Sequence, residues 1–202
     1  MATRDRILDA AAQVMRTAGL ARATTREIAA VAGLSEAALY KHFRDKEDLI
    51  LAVVHERLPA FVPLLHDLPA RVGQEAVEAT LTAVAHAALA YYAELVPMLA
   101  GLFAEPRLLA GHRDGLRARG VGPHLAVPAV AAYLRAEQVL GRVAAAADPA
   151  AAAALLLGAC FQRAFLLHVV GEDVLGPAPA FPDDLAATLL RGLAPSAGSP
   201  AP

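Results

Sequence analysis

Between Thr24 and Asp48 the chain marks three helix starts in close succession, and that crowding leaves it few ways to fold. Thr24 and Glu27 stand at the T-x-x-E spacing of a capping box, in which the Thr hydroxyl accepts from the N–H three residues on and the Glu reaches back. Ser35 is placed to cap a second helix, and Asp45 with Asp48 opens a third. Gly33 lies where the first of these helices must stop, and a residue without a Cβ takes the left-handed conformation of a helix end at little cost. Ile28, Ala32, Leu34 and Leu39 are apolar at spacings that bury the inner faces of two short helices against each other. Ala29 and Gly33 are small where the backbones must cross.

The second helix, expected over Glu36 to Phe43, is short and polar on its outer face, where it carries Tyr40, Lys41 and His42. That suits a recognition helix in a major groove. Tyr40 offers a hydroxyl on a rigid ring to a phosphate, Lys46 adds an ammonium to the free N–H groups of the next helix, and Thr25 and Arg26 open the helix that crosses the backbone. Glu36, Ala37, Ala38, Lys41 and His42 are the candidates to meet base edges, through hydrogen bonds or an alanine methyl against a thymine methyl. A lone basic tripeptide on a helical hairpin is more often a solvated face. The caps, the small crossing pair and the apolar register together favour a DNA reader.

The run Leu39-Tyr40-Lys41-His42-Phe43-Arg44-Asp45-Lys46-Glu47-Asp48-Leu49, after Thr25-Arg26-Glu27-Ile28-Ala29 and Gly33-Leu34-Ser35, resembles the TetR family of bacterial transcriptional regulators. The resemblance implies an all-α fold, with a three-helix DNA-binding domain containing a helix-turn-helix, followed by a helical ligand-binding and dimerisation domain. It implies phosphate contacts at Thr25, Tyr40 and Lys46 and base contacts at Arg26, Glu36, Ala37, Ala38, Lys41 and His42. The corresponding division is residues 1–47, residues 48–194, and a disordered tail over 195–202.

The composition is 57% hydrophobic and only 19% charged, with a mean hydropathy of +0.45, which calls for apolar surface buried between chains or around an apolar ligand. Dimerisation is the simpler account. A net charge of −2 sits awkwardly with phosphate binding, but its distribution helps. Residues 1–50 hold eight basic against seven acidic side chains, net +1, which leaves −3 for the remainder, and both lysines, Lys41 and Lys46, fall in the DNA-binding segment. The longest runs without Asp, Glu, Lys or Arg are fifteen residues, 79–93 and 120–134, so no membrane segment is expected, since a span takes roughly twenty. One cysteine, Cys160, and an amphipathic amino terminus in place of a signal region point to a cytoplasmic protein without disulfides.

Along the chain, a first helix is expected over Thr3 to Ala18, with Ile7, Ala11, Val14 and Ala18 on one face and a stop at Gly19. Arg4 and Arg6 are read either as an arm reaching DNA or as a disordered basic terminus. The helix from Asp45 carries Leu49, Val53 and Leu58 and is bent or ended by Pro59 and Pro63, which makes it a lever between domains. Further helices are expected over about 73–94, 96–118, 123–144, 149–170 and 183–193, with a loop from Gly171 to Pro182 and no strand. Asp148-Pro149 caps the fourth of these, which with the last would form half of a four-helix dimer interface.

Material for an effector cavity is Phe61, His86, Tyr91, Tyr92, Met98, Phe103, Phe161, Phe165 and His168. Glu94 and Arg163 are isolated charges in these apolar helices, which leans toward a largely apolar or aromatic ligand. No catalytic motif is present, the seven histidines lack ligand spacing for a metal, and no cofactor is expected. Cys160 reads as a small buried residue. The expected function is a homodimeric repressor released from a palindromic operator by a small molecule. Its rivals are a scaffold dimer with a vestigial helix-turn-helix and a small helical enzyme.

Overall fold

The computed structural model describes residues 2–58 and 60–193, and every regular element among them is helical. The disorder expected over Pro195 to Pro202 and the bend at Pro59 lie outside the described residues. By compactness the chain groups into two units: the residues up to Ala60 with Glu94–Gly122, and Phe61–Ala93 with the residues from Pro123 onward. This grouping follows packing, whereas the boundary expected after residue 47 rests on the roles the resemblance implies.

In the first unit α1 (Thr3–Ala18) buries Ile7, Leu8, Ala11, Val14 and Met15 and ends at Gly19. The helix α2 (Thr25–Val31) starts where the Thr24 hydroxyl accepts from the Glu27 N–H at 3.1 Å. Gly33 follows at φ 66°, the left-handed turn its position calls for. Arg6 donates to the Ala32 carbonyl at 2.7 Å and so caps the end of α2. Arg4 makes a two-toothed pair with Glu56 at 2.5 and 2.8 Å and lies 5.3 Å over the Phe43 ring. Both arginines are therefore built into α1 and its packing, and neither forms an arm.

The second helix of the expected helix-turn-helix is shorter than expected: α3 runs only over Glu36–Leu39, opened by Ser35, and Tyr40 to His42 form a turn in which both His42 and Phe43 donate to the Leu39 carbonyl. The cause is the next cap. Asp45 must be extended, at φ −154° and ψ 175°, for its carboxylate to accept from Asp48 N–H at 2.7 Å and open α4 (Lys46–Glu56). A helix continued through Phe43 would leave Arg44 alone to make that change of direction.

After α4 a separate helix, α5 (Phe61–Arg71), begins in the second unit, with Pro63 in its first turn, where a missing N–H costs nothing. Then α6 (Val77–Leu99) runs through Pro97, where the sequence led us to expect a break at residue 95. Pro97 leaves the Ala93 carbonyl without its helical donor, and His168 Nε2–H donates to that carbonyl at 2.6 Å, so the interruption is repaired from another helix. A 3₁₀ turn (Ala100–Ala104) and α7 (Pro106–Arg119) complete the first unit.

In the second unit follow a 3₁₀ turn (Pro123–Leu125), α8 (Ala126–Val139), α9 (Pro149–Val170), the short α10 (Glu172–Leu175) inside the expected loop, and α11 (Phe181–Leu193). The Asp148 carboxylate accepts from Ala150 and Ala151 N–H at 2.8 and 3.2 Å, the cap expected before Pro149. Leu81, Val84, Ala85 and Ala88 of α6, Val130, Ala131 and Leu134 of α8, and Ala152, Leu156, Cys160 and Ala164 of α9 are buried.

A buried carboxylate also sits in this unit: Glu137 is fully buried, accepts from Gly73 N–H at 2.9 Å and lies 3.1 Å from Arg142, whose guanidinium also donates to the Glu75 carbonyl. It fastens the loop before α6 to the end of α8.

By length and composition alone, two helices, Val77–Ala104 and Pro149–Val170, are long and apolar enough to cross a membrane. This corrects the expectation drawn from charge-free runs, because charges as sparse as Glu94 and Arg163 interrupt a run without lowering the mean hydropathy of the helix much. Within the second unit each of the two buries one side, as helices of a bundle core do.

Candidate nucleic-acid interface

The turn at Gly33 and the cap at Ser35 bring the start of α2 beside the start of α3, and this places three candidate side chains in one group. Thr25 Oγ1–H donates to the Glu36 carboxylate, and the Tyr40 hydroxyl donates to Thr25 Oγ1 at 3.5 Å. Tyr40 is 48% exposed, so its ring stands out from the surface with the hydroxyl accessible to a phosphate. Arg26, Glu36, Ala37, Lys41 and His42 are exposed, Ala38 is half-buried, and Leu39 and Phe43 hold the segment to the core beneath. Lys41 and His42 lie in the turn after α3, where their direction is set by the turn and not by helical periodicity.

Lys46 is the first residue of α4, next to the Asp45 cap, and is half-buried. Burial pulls its ammonium below the ordinary lysine value, with Glu47 opposing. A phosphate in its place would offset that desolvation, as an anion at free N–H groups is favourable.

Two contacts that sequence reasoning missed hold this first turn of α4. Arg119 of α7 donates to both Asp45 oxygens, at 2.9 and 3.0 Å, and His112 Nδ1 lies 2.5 Å from Glu47 Oε1. Gly115 allows the approach, since a Cβ there would run into the Glu47 side chain. The two residues flanking Lys46 are thus both tied to α7. The partners are 65 and 74 residues apart, and no local pattern announces them.

Of the nine residues expected around an effector, five meet as a chain of rings in the second unit. Phe61 lies 5.3 and 5.7 Å from Tyr91 and Tyr92, Tyr92 lies 5.5 Å from Phe161, and Phe161 stacks on Phe165 at 6.4 Å. Phe61 and Tyr91 are buried, while Phe161 and Phe165 are half-exposed. Burial pushes the hydroxyls of Tyr91 and Tyr92 up to about 12, so both stay protonated donors. Met98 and Phe103 belong to the first unit, Met98 buried and Phe103 75% exposed. His168 is used by the Ala93 carbonyl, and His86 pairs with Asp183 at 2.9 Å.

An open cleft of about 490 Å³ in the second unit is lined by His86, Leu89, Ala93, Arg163, Leu167 and Glu172 among others, and His86 alone comes from the expected set. Arg163 donates to the Gly176 carbonyl at 2.8 Å and lies 5.2 Å over the Phe181 ring, so it serves as a wall of the cleft. Among the described residues no group of three or more His, Cys, Asp or Glu side chains is arranged to hold a metal ion.

Residues 7–53 match the family model of bacterial regulatory proteins of the tetR family. The chain is 41% identical over 54 residues to the HTH-type transcriptional regulator YvkB of Bacillus subtilis (strain 168); this covers 27% of the chain and 29% of the length of that curated relative. The fold as a whole is similar to SmeT, the repressor of the Stenotrophomonas maltophilia multidrug efflux pump SmeDEF, with a TM-score of 0.67 and 24% identity over 100% of this chain and 98% of that one. Salmonella enterica GusR gives 0.67 and 23% over 95% of each chain. FadR of Bacillus subtilis, solved with stearoyl-CoA, gives 0.66 and 17% over 94% of this chain and 98% of that one. Residues 7–53 are thus similar to the amino-terminal domain of the tetR family of bacterial regulatory proteins, and the chain shares the helical fold of the solved structures above.

Proposed function

We propose that this chain is a cytoplasmic, homodimeric transcriptional repressor that leaves a palindromic operator when a small, largely apolar or aromatic ligand binds. Residues 1–47 would bind DNA, and residues 48–194 would bind the ligand and dimerise. The observation that carries the reading is the set of surface donors on α2, the turn after α3 and α4: Thr25, Tyr40 and Lys46 are suited to phosphates, Tyr40 exposed and the other two half-buried, with Lys41, His42 and Arg26 exposed close by in sequence. A dimer would set two such groups in successive major grooves about 34 Å apart.

For the dimer, α9 supplies an outward stripe of Ala151, Ala154, Leu155, Gly158, Phe165 and Val169, with Leu155 64% and Val169 60% exposed. Small and apolar residues in this register suit close packing against a second copy of α9 and α11. For the ligand, SmeT has been solved with triclosan and FadR with stearoyl-CoA, and the rings and open cleft of the second unit offer apolar walls of the same character. For release, the ties from His112 and Arg119 make the first turn of α4 follow α7, so a ligand that favours another position of α7 lowers DNA affinity by the factor that DNA lowers ligand affinity.

The test is a mobility-shift titration against the DNA upstream of the protein's own coding region at fixed salt. A saturable complex with two chains per site is expected, abolished in the Tyr40→Phe, Lys46→Ala double variant. Unchanged affinity in that variant would refute the placement of the interface.

A further inference from the structure

The geometry points to Glu36 as the residue that discriminates among bases: it selects a cytosine in each operator half-site by accepting from the N4 amino group, and it releases the Thr25 hydroxyl to a phosphate as it does so. This rests on the DNA-binding reading above. In the unbound protein the Glu36 carboxylate accepts from Thr25, and Tyr40 donates to the same Thr25 oxygen at 3.5 Å. A carboxylate can only accept, whereas both hydroxyls can donate. Two groups suited to a phosphate are therefore chained to the one group in the cluster that a phosphate repels.

The arrangement cannot persist on DNA. Thr25 has a single hydroxyl proton, so it cannot donate to Glu36 and to a phosphate oxygen at once, and the two anions would face each other across one donor. Glu36 is exposed at the start of α3 and is free to turn toward the groove. There its needs are strict. Guanine and thymine present acceptors to the major groove and repel it; adenine offers its N6 donor beside the N7 acceptor; cytosine offers the N4 donor with no acceptor next to it. Ala37 and Ala38, which follow Glu36 on the same helix, are too short to compete for the base edge. On guanine or thymine the carboxylate stays near the phosphates without a donor, and on adenine the N6 donor comes with the repelling N7 beside it. Glu36 then weakens off-operator binding as well as favouring the right site.

The full-length protein and its Glu36→Gln and Glu36→Ala variants would each be used to select from a pool of randomised duplexes, followed by titration of point-substituted sites at fixed salt. For the unaltered protein one C·G pair per half-site is expected, whose replacement weakens binding roughly five- to 150-fold. Glu36→Ala should flatten the preference at that pair alone, and Glu36→Gln should shift it to adenine, whose N6 and N7 suit an amide. Both variants should bind unrelated DNA more tightly than the unaltered protein. The same base preference in all three proteins overturns the assignment while leaving the DNA-binding reading intact. Failure of the unaltered protein to bind any duplex overturns both. Since Glu36 is exposed, equal melting temperatures for the three proteins would verify that the comparison is not one of folding.

Discussion

Replacing Lys46 with alanine isolates one phosphate contact without disturbing the helix that carries it. The first turn of α4 is opened by the Asp45 carboxylate on Asp48 N–H and held by Arg119, and neither contact uses the Lys46 side chain. Alanine also favours helix. The loss should therefore be electrostatic. Each cation that neutralises a phosphate adds about 0.9 to the slope of log affinity against log salt. A dimer loses two, so the slope should fall by about 1.8. Evaluated at 0.15 M salt, the corresponding counterion release amounts to about a 30-fold loss of affinity, shrinking to about ninefold at 0.3 M. Fluorescence anisotropy at several salt concentrations, on the operator and on unrelated DNA, measures both quantities. The loss should be similar on the two sequences because a phosphate carries no base information. An unchanged slope, or a loss confined to the operator, would refute the phosphate assignment.

Two stability predictions rest on ion pairs of different depth. Arg142→Ala leaves the fully buried Glu137 carboxylate without its cation, and with the arginine end of the pair part-exposed the cost should lie near 3 kcal/mol, about 6–12 °C in melting temperature. Adding Glu137→Gln should recover at least half of this by removing the stranded charge, and a loss below about 1 kcal/mol in the single variant would refute the pair's part in stability. At the surface, the Arg4 and Arg44 hydrogen bonds hold Glu56 and Asp48 below their ordinary values of 4.5 and 3.8. A depressed carboxyl contributes stability above its unfolded value and loses it as pH falls through the folded one. Arg4→Ala should therefore be slightly less stable than the unaltered protein at neutral pH, by under about 1 kcal/mol for so exposed a pair, with the gap closing below pH ~4. Thermal melts across that range would show a constant gap if the pairing were unimportant.

Local chemistry was legible wherever a residue acts on its near neighbours. Thr24, Ser35, Asp45 and Asp148 cap the helices their spacing announced, and Gly33 takes the left-handed turn its position required. The apolar register of α1 follows from the same short-range rules, whereas the bonds that join Thr25 to Glu36 and Tyr40 span 11 and 15 residues and were not announced. Where local signals competed, the reading failed. Periodicity carried α3 to Phe43, yet the extended Asp45 cap ends it at Leu39; Pro97 looked like a break, yet His168 supplies the missing donor from α9.

The sequence by itself determined that this chain forms a capped helix-turn-helix with donors suited to phosphates, because caps, turns and helical faces depend on residues within a few positions of one another. Tertiary structure alone decided what those donors are tied to. It set Arg4 and Arg6 into the packing of α1, placed Arg119 and His112 on either side of Lys46, buried Glu137 against Arg142, and left His86 in an open cleft while five rings packed into a chain. These contacts join residues far apart in the chain, and their energies depend on burial and approach, which no spacing along a sequence encodes.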